Sequence, residues 1–169
     1  MVKQSATPDS SFWINSHRSG LLAHVLMRFE IHYAPEVAAE LRDDFASGRE
    51  FWRLAREGVI EKAAPQQDFV RAFGPGERAA MNLTIEHPDW ILLMDDRRPL
   101  EEAQRRGIRT ICTPVFVTQL YAGGDLSGQQ ALDTLATLAA MQTVSPALID
   151  VALAQLAAYR TEKEKPHGN

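Results

Sequence analysis

The stretch GERAAMNLTIEHPDWILLMDDRR, residues 76–98, decides the fold class, because it contains a helix, a buried strand and the polar residues that end them. Residues 76–86 place apolar side chains at helical spacing, and a His-Pro-Asp turn ends that helix. Residues 90–94, WILLM, form a short apolar run between turn residues, which is typical of a strand covered on both faces. Two adjacent acidic residues, Asp95 and Asp96, follow this strand.

The same alternation of helix and strand extends outward over about the first 115 residues, and helical patterns fill the rest of the chain. We predict strands at 30–34, 59–63, 90–94 and 108–113. We predict helices at 19–29, 35–46, 50–56, 76–86, 99–106, 126–141 and 146–160. Ser47 and Gly48 are expected to separate two of these helices. Such alternation predicts an α/β fold with a mostly parallel sheet between helices.

The length of 169 residues suits one domain. We predict a single domain over residues 1–160. Its core is expected at about 7–120 and its C-terminal helices at about 126–160. Residues 161–169 are predicted to form a flexible tail, since they are polar and terminal.

Composition excludes several classes of protein. The 18 Lys and Arg residues against 22 Asp and Glu residues give a net charge of −4, which argues against a basic coat for wrapping nucleic acid. A nuclease remains possible, because acidic metal sites lower the net charge. The single cysteine, Cys112, rules out an internal disulfide, and we expect it to be a buried, inert thiol. Without a membrane-length apolar stretch or an apolar signal core, a soluble, cytoplasmic protein that binds no membrane is expected.

Acidic residues near the predicted strand and helix ends are the candidates for a functional site, because ligands of parallel sheets bind beyond the carboxyl ends of the strands. These residues are Asp9, Glu40, Glu77, Asp95 and Asp96. Mg²⁺ and Mn²⁺ prefer oxygen ligands, and a divalent ion relieves the repulsion between clustered carboxylates. Such an ion supports hydrolysis of a phosphodiester bond.

Each acidic residue also has a purely structural interpretation. Asp9 suits the N-cap of a helix, and Glu77 lies near a helix N-terminus, where the dipole favours a carboxylate. Glu40 shares a helix face with Glu36, which is typical of a solvated surface. The pair at 95 and 96 is harder to explain in this way, because adjacent charges at a strand end require solvent or a metal.

The pattern resembles the PIN-domain family, and it is closest to prokaryotic predicted nucleases of a toxin-like subgroup. The elements that match are Gly76-Glu77-Arg78-Ala79-Ala80, the apolar strand that ends in Asp95-Asp96, Ala103, and Gly107-Ile108. Upstream, Asp9-Ser10-Ser11 is similar to the Asp-Thr-Ser element of the first PIN strand, although the apolar run that normally precedes it is replaced by VKQSATP. The resemblance covers about residues 7–120.

This resemblance implies a three-layer α/β/α nuclease fold with a Mg²⁺ or Mn²⁺ site. Four residues would be catalytic: Asp9, Glu40, Glu77 and Asp96. Four would hold the metal: Asp9, Asp95, Asp96 and Glu77. Ser11 would be a supporting hydroxyl, and Arg97 and Arg98 would hold phosphate, although two exposed arginines also suit a solvated turn.

The leading functional hypothesis is a metal-dependent endoribonuclease. It could be the toxin of a toxin–antitoxin pair, with RNA as substrate, a small antitoxin as partner and a homodimer as assembly. The alternative is a catalytically weak or inactive PIN-fold module that binds nucleic acid or protein. A third candidate, a phosphatase or receiver-like domain, needs an aspartate after an early apolar strand, and Asp9 lacks one. Trp13, Phe51 and Trp52 are expected to pack in the core or at a subunit contact, with base stacking as the alternative.

Overall fold

The structure is a computed structural model that describes residues 2–164. Within these residues the chain forms five strands and nine helices, and it divides into two units between Ile111 and Cys112. The prediction that residues 1–160 form a single domain stays a prediction. The last helix continues to Glu164, past the predicted start of the tail, and residues 165–169 of that tail lie outside the described residues.

The first unit contains a parallel sheet. Its strands are β1 (Gln4–Pro8), β2 (Phe29–Tyr33), β3 (Glu61–Lys62), β4 (Ile91–Leu93) and β5 (Thr110–Ile111). The strand order is β3-β2-β1-β4-β5, and all four neighbouring pairs are parallel. The predicted α/β class is therefore confirmed. Successive strands extend from β1 to one edge and from β4 to the other, so the topological switch point, where such folds bind ligands, lies between β1 and β4.

Six helices connect these strands. They are α1 (Ser10–Arg18), α2 (Leu22–Arg28), α3 (Pro35–Glu40), α4 (Ala46–Arg56), α5 (Pro75–Glu86) and α6 (Arg97–Arg105). Local sequence accounts for several of their beginnings. Pro35 and Pro75 occupy first helical positions, where a missing N–H costs no hydrogen bond. Asp9 caps α1, as its sequence position suggested.

The predicted boundary between α3 and α4 was wrong. The helix expected at 35–46 ends at Glu40, and the helix expected at 50–56 begins at Ala46, so Ser47 and Gly48 lie inside α4. Gly48 lies inside α4 and does not end it. Its role is in packing, since the absence of a side chain permits a close approach between α4 and the chain before it. A Cβ atom there would lie 1.8 Å from the carbonyl oxygen of Arg42.

Other predicted elements differ in extent. The helix expected at 19–29 is only α2, preceded by a turn at Gly20, and Phe29 belongs to β2 because it pairs with Gln4. The strands expected at 59–63 and 108–113 each form only two paired residues. Periodicity did not predict these ends, since strand pairing depends on the neighbouring strands rather than on local pattern.

The aromatic core of the first unit confirms the expected packing of Trp13 and Phe51. Trp13 is 1% exposed, and its ring packs edge-on against Phe51 with 5.1 Å between ring centroids. Its indole N–H donates to the carbonyl of Ser47 at 3.0 Å, which ties α1 to α4. Trp52 is half-buried, and its indole N–H donates to the carbonyl of Leu41 at 2.8 Å.

The second unit is helical, in agreement with the predicted C-terminal helices. It consists of α7 (Thr113–Gly123), α8 (Gly128–Met141) and α9 (Pro146–Glu164). Ser127 caps α8 and accepts the N–H of Gln130, whose side chain in turn accepts the N–H of Ser127. Cys112 is buried, as expected. None of the helices within residues 2–164 has the length and apolar character needed to span a bilayer.

Candidate active site

The strand register brings two of the acidic segments together at the switch point. Pro8, the last residue of β1, is the partner of Leu93, the last residue of β4. The backbone N–H of Asp9 donates to the carbonyl of Leu93 at 2.9 Å. Because the two strands are parallel, Asp9 and Asp95 both lie just past the carboxyl ends of adjacent strands.

Asp9 combines a structural role with an unsatisfied atom. It is 1% exposed, and its Oδ1 accepts the backbone N–H of Phe12 at 2.7 Å as the N-cap of α1. Its Oδ2 is buried without a hydrogen-bond partner. A buried polar atom without a partner is costly, so this oxygen is free to bind a ligand.

Asp95 and Asp96 are each held by a side chain of α1. Asp95 is 2% exposed and accepts from Nδ2 of Asn15 at 2.7 Å. Asp96 is half-buried at the start of α6, and its Oδ2 accepts from the hydroxyl of Ser11 at 2.9 Å. Ser11 and Asn15 are four residues apart, so they share one face of α1. That face orients the aspartates at the end of β4.

Glu40 and Glu77 come from α3 and α5. Glu77 accepts the backbone N–H of Gly74 at 2.6 Å. Glu40 is exposed at the end of α3 and accepts the backbone N–H of Gly76 at 3.0 Å and the hydroxyl of Ser10 at 2.5 Å. A Cβ on Gly76 would lie 2.5 Å from Oε1 of Glu40, so glycine at this position lets the carboxylate reach the backbone of α5.

Electrostatic coupling links the acidic residues. Burial, followed by the charge of Asp95, raises the pKa of Asp9 well above its ordinary value, and Asp96 and Glu77 add to the rise against the opposing N–H of Phe12. The pKa of Glu77 is also raised, chiefly by burial, and further by a hydrogen bond with Asp96 and repulsion from it. The hydrogen bond from the N–H of Gly74 lowers this pKa and opposes the rise. Glu40 adds to that rise. Carboxylates from four separate segments therefore lie within electrostatic reach of one another.

The site fits a hard divalent cation by its donor chemistry. All five acidic side chains offer oxygen, the donor that Mg²⁺ and Mn²⁺ prefer, and Oδ2 of Asp9 has no other partner. Within residues 2–164, however, no three Asp, Glu, His or Cys side chains are already placed to hold one ion.

The two arginines after Asp96 lie at the surface. Arg97 and Arg98 are both exposed in the first turn of α6, and Nε of Arg97 donates to Glu101 at 2.7 Å. Their predicted contact with phosphate stays a prediction. Sequence reasoning missed Ser10 and Asn15. The i, i+4 spacing from Ser11 could have drawn attention to Asn15, whereas the contact of Ser10 with Glu40 has no sequence signal.

Comparisons with known proteins agree with this architecture. A family model described as "DUF3368: PIN domain" matches residues 8–157, and the chain belongs to this family of PIN domains. Its fold is similar to that of a solved structure titled "Structure of the PIN domain endonuclease Utp24", with a TM-score of 0.50 and 15% sequence identity. That match covers 64% of this chain and 84% of the other, and it supports the fold alone. No curated protein matches the chain. PIN nucleases typically use divalent metals.

The raised pKa of Asp9 gives a prediction about stability in metal-free buffer with EDTA. The carboxylate ionises less readily in the folded chain than in the unfolded chain, so its contribution to stability falls as pH rises from about 4 through the folded pKa. Asp9→Asn removes the buried charge and keeps an oxygen that can cap α1. We expect its Tm at pH 7.5 to exceed that of the wild type, by about 2–4 °C for each kcal/mol of relieved repulsion and desolvation in a chain of this size.

Calorimetric melting over pH 4 to 8 measures this effect. The difference in Tm between Asp9→Asn and wild type should shrink toward zero as the pH approaches 4. Asp150→Asn, on an exposed position of α9, is the matched control and should not change Tm at any pH. An Asp9→Asn variant that melts below the wild type at pH 7.5 would refute the electrostatic explanation.

Proposed function

We propose that the protein is a metal-dependent endoribonuclease that hydrolyses phosphodiester bonds in RNA. The observation that carries the proposal is the buried Oδ2 of Asp9, which has no hydrogen-bond partner and faces repulsion from Asp95, Asp96 and Glu77. A cation relieves that repulsion and supplies the missing partner. Membership in a PIN-domain family supports a nuclease activity.

The residues would divide the work as follows. Asp9, with Asp95 and Asp96, would hold the cation, and Asn15 and Ser11 keep the last two carboxylates oriented. When bound, a divalent ion lowers the pKa of water and offsets charge on the phosphate oxygens. Water would form a new bond to phosphorus while the bond to the 3′-oxygen breaks, and the products are a 5′-phosphate and a 3′-hydroxyl.

Glu40 and Glu77 would act at the rim of this site. Their carboxylates are anchored by the backbone N–H groups of Gly76 and Gly74, so their positions are fixed before substrate arrives. From there they would orient the attacking water or complete the coordination of the cation. Preorganised groups of this kind lower the barrier because they need not rearrange during the reaction.

Cleavage of a labelled single-stranded RNA tests the proposal directly. We expect purified protein to cut the RNA internally in Mn²⁺ or Mg²⁺, to leave 5′-phosphate ends and to lose activity in EDTA. Calorimetric titration with Mn²⁺ separates this proposal from its alternative, a PIN-fold module that binds without cleaving. If the protein gave no heat of Mn²⁺ binding and no cleavage, the result would favour the binding module.

The more specific biological roles rest on the family resemblance. A role as the toxin of a toxin–antitoxin pair, a small antitoxin partner and a homodimeric assembly are proposals of this kind. A gene for a small DNA-binding protein beside the gene for this chain would favour the toxin role.

A further inference from the structure

A cavity of about 790 Å³ lies next to the candidate active site. It is formed by the second half of α1 and by the connection between α3 and α4, and its lining includes Ile14, His17, Arg18, Glu40, Arg42 and Phe45. The volume falls within the roughly 300–1,000 Å³ of sites that bind small molecules and cofactors. It is therefore large enough to admit one nucleotide of a polymer.

We propose that this cavity holds one nucleotide of a single-stranded RNA substrate, with its base stacked on Phe45 and its flanking phosphates at Arg18 and Arg42. The inference rests on the proposed function, because it takes the carboxylates beside the cavity to be the site of cleavage. It assigns substrate positioning to residues outside the acidic group.

Phe45 is placed as a stacking platform. Its side chain is 61% exposed, although it is a large apolar ring, and it lies directly before α4. The guanidinium carbon of Arg42 lies over the ring, 5.8 Å from its centroid. This cation–π contact holds the ring on one side and leaves apolar surface for a base. Stacking of bases on aromatic rings is tolerant of sequence, because every base has a π-face.

Charge in the cavity suits a strand of nucleic acid. Arg18 and Arg42 contribute two positive charges to the lining against one carboxylate, Glu40, although the whole chain carries a net charge of −4. Arg42 pairs with Asp44 at 2.6 Å, but both side chains are largely exposed, and exposed pairs of this kind are worth little. A phosphate can therefore compete for the guanidinium, which binds phosphate oxygens in a bidentate geometry.

Glu40 connects the cavity to the carboxylates. Its side chain lines the cavity, and it also contacts Ser10 and the backbone of Gly76 in the candidate active site. A nucleotide on Phe45 would therefore have a neighbouring phosphate close to the acidic group. By binding one nucleotide, the cavity would determine which phosphate of the RNA lies next to the carboxylates.

Fluorescence anisotropy in EDTA, where metal-dependent cleavage is off, tests the proposal. The probes are a fluorescein-labelled decamer of oligouridylate and an abasic ribose-phosphate decamer. We expect Phe45→Ala to raise the Kd for the uridylate about tenfold, in line with the stacking energy of one base, and to leave the Kd for the abasic strand unchanged. Phe45→Tyr keeps an aromatic ring and should bind like the wild type.

Two further variants sharpen the test. Phe69→Ala removes another exposed phenylalanine, which is 44% exposed and does not line this cavity, and it should bind both probes normally. Arg18→Gln should weaken the binding of both probes. It should also reduce the slope of log K against log salt concentration by about 0.7, the value for one phosphate contact on a single strand.

Four outcomes would overturn the inference. The first is a failure of the wild type to bind uridylate. The second is binding of uridylate that Phe45→Ala leaves unchanged, and the third is an equal loss of affinity for both probes in Phe45→Ala. The fourth is conversion of a dimer to a monomer by Phe45→Ala in sedimentation, which would identify the surface as a subunit contact. If the protein cleaved RNA with metal and Phe45→Ala had no effect on binding, the nucleotide-binding role of the cavity would be rejected and the nuclease activity retained. If binding depended on the base but no cleavage occurred, the binding role of the cavity would be retained and the nuclease activity rejected.

Discussion

Asp96→Asn is expected to reduce Mn²⁺-dependent RNA cleavage by about 10²–10³-fold, the range seen when one preorganised electrostatic contact is removed from an active site. The amide keeps an oxygen that can accept from the Ser11 hydroxyl, so the local structure should survive. It loses the negative charge that would hold a cation beside Asp9. Initial rates of cleavage, measured at saturating Mn²⁺, give the size of the effect.

A series of variants separates the effect of the carboxylate charge from the effect of the hydroxyl that orients it. Asp9→Asn should lower the rate at least as much, since Oδ2 of Asp9 is the buried atom that lacks a partner. Ser11→Ala leaves the charge of Asp96 and removes only the hydroxyl that orients it, so we expect a smaller loss of about 10–100-fold. Asp150→Asn should retain full activity. If Asp9→Asn and Asp96→Asn both cleaved at the rate of the wild type, neither carboxylate would take part in the mechanism.

Trp13→Ala is expected to cause the largest loss of stability. Trp13 is 1% exposed, and replacing a buried tryptophan with alanine typically costs about 3–5 kcal/mol. The substitution also removes the indole N–H that donates to the carbonyl of Ser47 and the edge-on contact with Phe51. Because folded domains are stable by only about 5–15 kcal/mol, the variant should be near unfolding at 37 °C.

Urea denaturation monitored by circular dichroism measures this loss. Trp13→Phe retains a buried ring beside Phe51 but loses the hydrogen bond, so we expect an intermediate loss of about 1–3 kcal/mol. Phe69→Ala, at an exposed position, should change the free energy of unfolding by less than about 0.5 kcal/mol. A Trp13→Ala variant within 1 kcal/mol of the wild type would show that α1 and α4 do not depend on this contact.

Asp9 shows how two interpretations of one residue can both apply. The sequence left open whether it is an N-cap or a functional carboxylate. In the structure, Oδ1 caps α1 while Oδ2 is buried without a hydrogen-bond partner and lies within electrostatic reach of Asp95, so the cap restricts the orientation of the second oxygen. For Glu40, the sequence favoured a solvated face, and the side chain is indeed exposed. Its contact with the backbone of Gly76 could not be foreseen, because it joins residues 36 positions apart.

The α3–α4 junction shows a different limit. Glycine and serine in series normally weaken a helix, and the sequence therefore predicted a break at Gly48. The close approach of the Arg42 carbonyl makes glycine necessary there for packing, and a contact of that kind leaves no trace in periodicity. Phe45 and the cavity beside it depend on this junction, so their arrangement also could not be predicted from the local pattern.

The sequence alone determined the parallel α/β class, the buried strand at β4 with its two terminal aspartates, and the helical C-terminal part. These features follow from the spacing of apolar residues and from hydrogen bonds between near neighbours, which act over a few residues. Only the tertiary structure decided the strand order that sets β1 beside β4, and with it the meeting of Asp9, Glu40, Glu77, Asp95 and Asp96. That meeting depends on pairing between strands more than 80 residues apart, which short-range preferences do not specify.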